Sequence, residues 1–226
     1  MLNDVTLIQL VSYGSMAMFT SVSILRSAGA MDKALLLKRM GKDAARMARA
    51  VNLADETKRT AAVHRAHARI VSKVQPVGQL MTSVAAPNAR KEKDVALAAY
   101  RSEVSSLVRT HCHHLRYLAK KAGPLGLGFT TLALVFSLMG FAPEAQGNHS
   151  NLLQALPVSL VTTMLACFNL FGLRWVEGRL VHAADTALEN GETAFECYLN
   201  WARPETPGTP TALVRRVSLA ATKERV

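Results

Sequence analysis

Three stretches of the chain contain no Asp, Glu, Lys or Arg and are mostly apolar: residues 5–25, 122–142 and 145–173. Each holds a run of about twenty apolar or small residues, enough helix to reach about 30 Å, the thickness of a bilayer's hydrocarbon core. Between them the pattern changes from continuous to periodic. From 31 to about 74, Leu35, Leu36, Met40, Ala44, Met47, Val51 and Leu53 recur at helical spacing among basic residues. A break is expected near 51–56, where Asn52 and Asp55 are candidate caps for a second helix. Pro76, Gly78, Pro87 and Asn88 predict a loop region. From about Arg90 the stripe of Val95, Leu97, Val104, Leu107, Val108, Leu115 and Leu118 predicts one helix. It runs on into the second apolar stretch, about fifty residues in all, because a Pro inside a membrane helix is tolerated. The third stretch is likewise extended by Trp175, Leu180, Ala184, Leu188, Phe195 and Trp201, with Gly191 as a soft point and Pro204 and Pro207 as the end.

The expected fold is therefore all-α: an integral membrane protein with three transmembrane helices, two of them extended into long cytoplasmic helices. Its parts are a first span at 1–25 with the N-terminus outside, a basic helical cytoplasmic region at 26–121, a transmembrane hairpin at 122–173, a cytoplasmic helix at 174–203, and a Pro-rich turn and basic tail at 204–226. The first stretch lacks the basic n-region of a signal peptide, since Asp4 is the only charge before Arg26, and it is expected to be a retained span.

Charge sets the orientation. The chain carries 27 Lys and Arg against 16 Asp and Glu, a formal net charge of +11. Twenty of the basic residues fall in 26–121 and seven in 174–226, with none elsewhere. By the positive-inside rule those two blocks are cytoplasmic, and the loop near 141–151, with Glu144, is outside. This clustering explains the basic pI without nucleic acid. The surplus on Lys38, Arg39, Lys42, Arg46 and Arg49 suits a solvated face attracted to anionic lipids. Cys112 and Cys197 then lie in reducing cytoplasm and Cys167 in a span, so no disulfide framework is expected.

Hydroxyls and small residues mark the spans. Gln9, Ser12, Tyr13, Ser15, Thr20, Ser21 and Ser23 line the first. In the third, Ala155, Ser159, Thr162, Ala166 and Asn169 alternate by four and three and so share a face. Thr130 and Thr131 in the second span and Thr162 and Thr163 in the third lie at similar depth. Such a face serves either a polar path or plain packing of small residues.

The run Gly123-Pro124-Leu125-Gly126-Leu127-Gly128-Phe129-Thr130-Thr131 resembles the second-span motif Pro-Leu-x-Gly-Leu-x-Gly-Thr of the MotA/TolQ/ExbB proton-channel family. Leu160-Val161-Thr162-Thr163-Met164-Leu165-Ala166, after Pro157, resembles its third-span motif Ala-Leu-x-x-Thr-Ala-x-Gly. The layout resembles the three-span TolQ/ExbB branch over most of the chain, and the sequence does so over about 120–175. Counted from the prolines, Thr131 and Thr163 fall on the family threonines. Thr130 stands where a Gly is frequent, Val158 where many members have Glu, and Gly172 where a Pro is common.

The resemblance implies a subunit of an ion-driven motor or stator in a bacterial inner membrane, with a periplasmic N-terminus and a cytoplasmic C-terminus. It implies a homopentamer around two copies of an ExbD/TolR/MotB-like single-span subunit with one transmembrane Asp. Thr131 and Thr163, with Thr130, Thr162, Ser159 and Asn169, would line the ion path. Gly123, Pro124, Gly126, Gly128, Pro157 and Ala166 would let helices pack closely. The residues themselves agree that the proton carrier must come from elsewhere, because Thr hydroxyls do not titrate near neutral pH and no span interior holds an ionisable group. The alternative is a non-conducting scaffold of the same architecture that recruits cytoplasmic partners, which Val158 favours.

Other chemistry is sparse. His111-Cys112-His113-His114 has metal-ligand residue types, but His111 and His114 share one helical face while Cys112 points elsewhere, so no metal site is expected. The same holds for His64 and His67, and Asn148-His149-Ser150 is a chance match to a glycosylation acceptor. There is no nucleophile–base set and no Gly-rich phosphate loop. No catalytic residues and no cofactor are expected.

Overall fold

The computed structural model describes residues 4–73, 75–139 and 149–203, with side chains described outside 4–9, 133–134, 136–139, 149–156 and 158. The expected outer loop with Glu144, the 204–226 tail, the Asn148 motif and the Ala155 and Val158 side chains lie outside what is described. Five helices follow in order: α1 Asp4–Val51, α2 Glu56–Val71, α3 Pro76–Ser83, α4 Lys93–Met139 and α5 His149–Ala202. The described residues contain helices and turns and no strand. One helix among them is long and apolar enough to cross a membrane, the segment Ser159–Ala202 of α5.

α1, α4 and α5 form a long three-helix bundle. At 1.5 Å per residue α5 alone is roughly 80 Å long. Buried positions recur by threes and fours. On α1 they include Ser12, Met16, Ser23, Ala30, Ala34, Leu37, Ala44 and Ala48. On α5 they include Thr162, Ala166, Asn169, Leu173, Val176, Leu180, Ala184 and Ala187. That spacing keeps one seam facing its neighbours along a gently supercoiled bundle. The seam is rich in Ala, which brings backbones close: a Cβ on Gly41 of α1 would lie 3.3 Å from Ala187 Cα of α5.

Cross-helix pairs fix the directions. Gly126 faces Ala166, Thr130 meets Thr163, Arg116 meets Glu177 and Arg101 meets Glu192, so α4 and α5 are antiparallel in unbroken register. Thr20 pairs with Asn169 and Gly41 with Ala187, so α1 and α5 are parallel. α1 continues through the boundary at 25–26 without a break and ends at Val51, where Asn52 N–H bonds back to Ala48 and Arg49 carbonyls. Asp55, not Asn52, caps α2 by accepting from the Thr57 and Lys58 N–H groups.

The expected loop around Pro76 and Gly78 contains a short helix, a correction with a clear cause. Pro76 occupies the first turn of α3, where its missing N–H has no intrahelical partner to lose. A Cβ on Gly78 would sit 3.0 Å from Lys73 O and 3.1 Å from Ile70 O, so the residue that looked like a breaker allows α3 to close on the end of α2. Gly191 is no soft point either. α5 passes through it unbroken, and the Tyr100 ring fills the space where a side chain would be. Val95 of the expected α4 stripe is 70% exposed, and Tyr100, Cys112 and Ala119 take places in the true stripe.

Candidate functional site: the hydroxyl seam between the apolar halves of α4 and α5

The bundle has two zones. Large exposed apolar side chains crowd one end: Leu10, Met18, Ile24 and Leu25 on α1, Leu127 and Val135 on α4, and Leu160, Met164, Phe168 and Phe171 on α5. At the other end, ion pairs clip the helices together. Glu177 receives Arg116 from α4 and Arg174 from its own helix, while Glu192 receives Arg101 and Glu196 receives Lys93. Of these, the Glu177 pairs stand nearest the apolar zone, directly below it.

Within the apolar zone the helices are joined through hydroxyls and small residues. A Cβ on Gly126 would overlap Ala166 Cβ, so only Gly permits this approach of α4 to α5. One turn further, Thr130 Oγ1 and Thr163 Oγ1 are 2.6 Å apart. Each hydroxyl also has a carbonyl of its own helix in reach, Gly126 O at 2.8 Å for Thr130 and Ser159 O at 2.9 Å for Thr163, so with one proton apiece one hydroxyl donates to its carbonyl while the other donates across to it. Thr162 is fully buried and donates to Ser159 O at 3.1 Å. Asn169 Nδ2 donates to Thr20 Oγ1 and to Leu165 O, each at 2.9 Å, which ties α5 to α1. Higher on α1, the Ser12 hydroxyl is fully buried and has no hydrogen-bond partner among the described residues.

The expected lining residues thus divide. Thr162 and Asn169 face inward against the other helices, and Ser159 and Thr130 are half-buried. Thr131 and Thr163 are exposed on the surface of the single chain, with Thr131 donating to Leu127 O. The chain itself joins Thr163 to Thr130 rather than to Thr131. Of the small residues, Gly126 and Ala166 meet each other. A Cβ added to Gly123 or Gly128 would meet no neighbouring helix among the described residues within 4 Å; Gly128 is exposed and Gly123 half-buried. Pro124 and Pro157 lie within helices that continue through them. The Asn169–Thr20 link is absent from the sequence reading. Its signal is present there as one amide and one hydroxyl in separate apolar stretches, but pairing them requires the parallel register of α1 and α5.

The histidines hold no metal cluster among the described residues. His111 sits at the α1–α4 contact, near Gly29. Partial burial, and then Lys33, His114 and Arg26 around it, lower its pKa from the ordinary value. His67 is also lowered, by burial and then by His64, because it stacks on Tyr198 with ring centroids 5.1 Å apart.

No family model matches the chain, and neither a curated protein nor a solved structure matches it. The MotA/TolQ/ExbB resemblance therefore rests on the sequence alone, on the motifs within 120–175 and the layout expected from it.

Proposed function

We propose that this chain is a TolQ/ExbB-like wall subunit of an inner-membrane, ion-driven motor, with spans formed by the apolar ends of α1, α4 and α5. Five copies would enclose two single-span partner helices, each bringing the Asp that carries the proton. The observation that carries this reading is the Thr130–Thr163 hydroxyl pair at 2.6 Å, with Thr163 and Thr131 exposed beside it in a zone where many exposed side chains are large and apolar. Exposed hydroxyls in such a zone suit a face turned toward water or a partner's carboxylate rather than toward lipid. The long basic extensions of α1, α4 and α5 would stand in the cytoplasm. The chain would have no catalytic residues of its own, and its work would be mechanical coupling of the proton motive force.

The test is proton flux through the complex with its single-span partner. Thr163→Ala and Thr131→Ala should each abolish flux while leaving assembly intact. No flux through the native complex, with force-dependent function unchanged in both variants, would favour the second reading, a non-conducting scaffold, which Val158 at the family's Glu position supports.

A further inference from the structure

Between α1 and α2, well away from the hydroxyl seam, lies a cavity of about 130 Å³ lined by Asp43, Arg46, Arg65, Ala66, Arg69 and Ile70. Three guanidinium-bearing residues thus meet at one concavity, with a fourth cation, Lys73, at its edge. Asp43 is the only carboxylate in that lining and is 5% exposed. Arg46 Nη1 lies 3.2 Å from Asp43 Oδ1, Arg69 Nε 3.8 Å from the same oxygen, and Lys73 Nζ 2.5 Å from Oδ2. Arg65 gives its Nε proton to Ala61 O at 3.1 Å and forms no ion pair among the described residues. The cluster therefore holds four positive charges against one negative.

This surplus needs a reason. Arg65 and Arg69 are one helical turn apart on α2, a like-charge pairing that weakens a helix. Docking α2 on α1 needs only the pairs to Asp43, and Arg65 takes no part in them. Ala66 and Ile70 give the cavity an apolar floor, and low-dielectric walls focus the field of the cations above it. Planar guanidinium forks match the paired oxygens of a phosphoryl group better than they match water.

We infer that this cavity is an anion site for a phosphoryl group, with Asp43 as the buried post that holds Arg46, Arg69 and Lys73 in place and Arg65 and Arg46 as the groups that grip the ligand. Its position selects the source. Asp43 follows the last residue of the first apolar stretch, Leu25, by eighteen residues, roughly 27 Å of helix. The head-group layer extends only about 5–8 Å beyond the hydrocarbon. A soluble phosphate compound of the cytoplasm is the ligand, not a phospholipid; this choice of source rests on the membrane placement proposed above, whereas the anion site does not.

The experiment is calorimetric titration of the detergent-purified full chain with pyrophosphate and with inorganic phosphate, set beside flotation on phosphatidylglycerol vesicles. Saturable pyrophosphate binding is expected for the native chain, weakened at least tenfold in Arg46→Gln/Arg65→Gln and unchanged in Arg101→Gln, whose partner Glu192 lies elsewhere. Should the double variant fail to fold, the single Arg65→Gln, which breaks no ion pair, is expected to weaken binding by itself. Absence of saturable binding at millimolar pyrophosphate overturns the site, as does equal binding by native and Arg65→Gln chains. Vesicle binding that Arg65→Gln weakens, with no pyrophosphate binding in solution, overturns the soluble ligand and points to lipid. Because none of these readouts involves ion flux, the site and the motor function stand or fall separately.

Discussion

Substituting Gly191 by Ala tests the packing of the cytoplasmic half at a single atom. A Cβ there would overlap Tyr100 Oη and lie 2.6 Å from Cζ and 2.8 Å from Cε1. The ring has little room to yield, because Tyr100 is 2% exposed and its hydroxyl donates to Ala187 O at 2.8 Å. Overpacking of this kind costs about 1–3 kcal/mol, and loss of the hydroxyl bond adds about 0.5–1.5 kcal/mol. Against this, Ala is favoured over Gly inside a helix by about 1 kcal/mol. The net expectation is a destabilisation of about 1–3 kcal/mol. In a Tyr100→Leu background all three clashing atoms are gone, so the same Gly191→Ala change should instead stabilise by about 1 kcal/mol. Unfolding by sodium dodecyl sulfate in mixed micelles, followed by far-ultraviolet circular dichroism, measures both changes and their coupling in a double-mutant cycle. A Gly191→Ala change that stabilises the native background, or has the same effect in both backgrounds, refutes the packing of Tyr100 over Gly191.

Three further outcomes follow from the geometry. Gly126→Ala should push α4 from α5, break the Thr130–Thr163 contact and lower flux through the assembled complex. Ala166→Gly should restore it, and failure of that rescue counts against the close contact. His67 has a lowered pKa, from burial and then His64, so folding favours its neutral form. The stability it contributes is present above the unfolded value near 6.5 and is lost as pH falls through that value toward the lower folded one. Trp201 stacks on Tyr198, the ring that His67 also packs against, so its fluorescence, read in a Trp175→Phe chain, should change as His67 gains its proton below the ordinary histidine range. His67→Gln should blunt that change, and an identical titration would refute the assignment. Finally, Asp55→Ala removes the cap of α2 at a cost of about 1 kcal/mol. Hydrogen exchange should rise at the Thr57 and Lys58 amides and leave α4 unaffected.

The long helices were legible because long stretches of the chain lack breakers: nothing between Lys93 and Met139 stops α4 except one Pro, which a helix in apolar surroundings tolerates. Asp55 was legible as one of two candidate caps, and only the structure separates it from Asn52. Glycines were harder to interpret. Gly78 and Gly191 look like punctuation in one dimension, yet each is small because another group needs its space, Ile70 O and Lys73 O in one case and Tyr100 in the other. The choice between Thr130 and Thr131 as the partner of Thr163 was equally hidden. Adjacent residues on a helix differ by about 100° in direction, and rotation about the helix axis is set by the Gly126–Ala166 contact, not by the threonines. The Asp43 cluster was invisible for a similar reason, since Arg65, Arg69 and Lys73 meet Asp43 only after α2 folds back on α1.

The proposed wall of an ion pathway, with its titrating carboxylate on another subunit, is tested by reconstituting the chain with and without that subunit. Purified chain reconstituted alone into liposomes, with a pH-sensitive dye inside and an imposed proton gradient, should show no flux above empty liposomes. The complex with a single-span, Asp-bearing partner should conduct, and Thr163→Ala should silence it. Conduction by the chain alone, or a fully assembled complex that never conducts, would contradict the account.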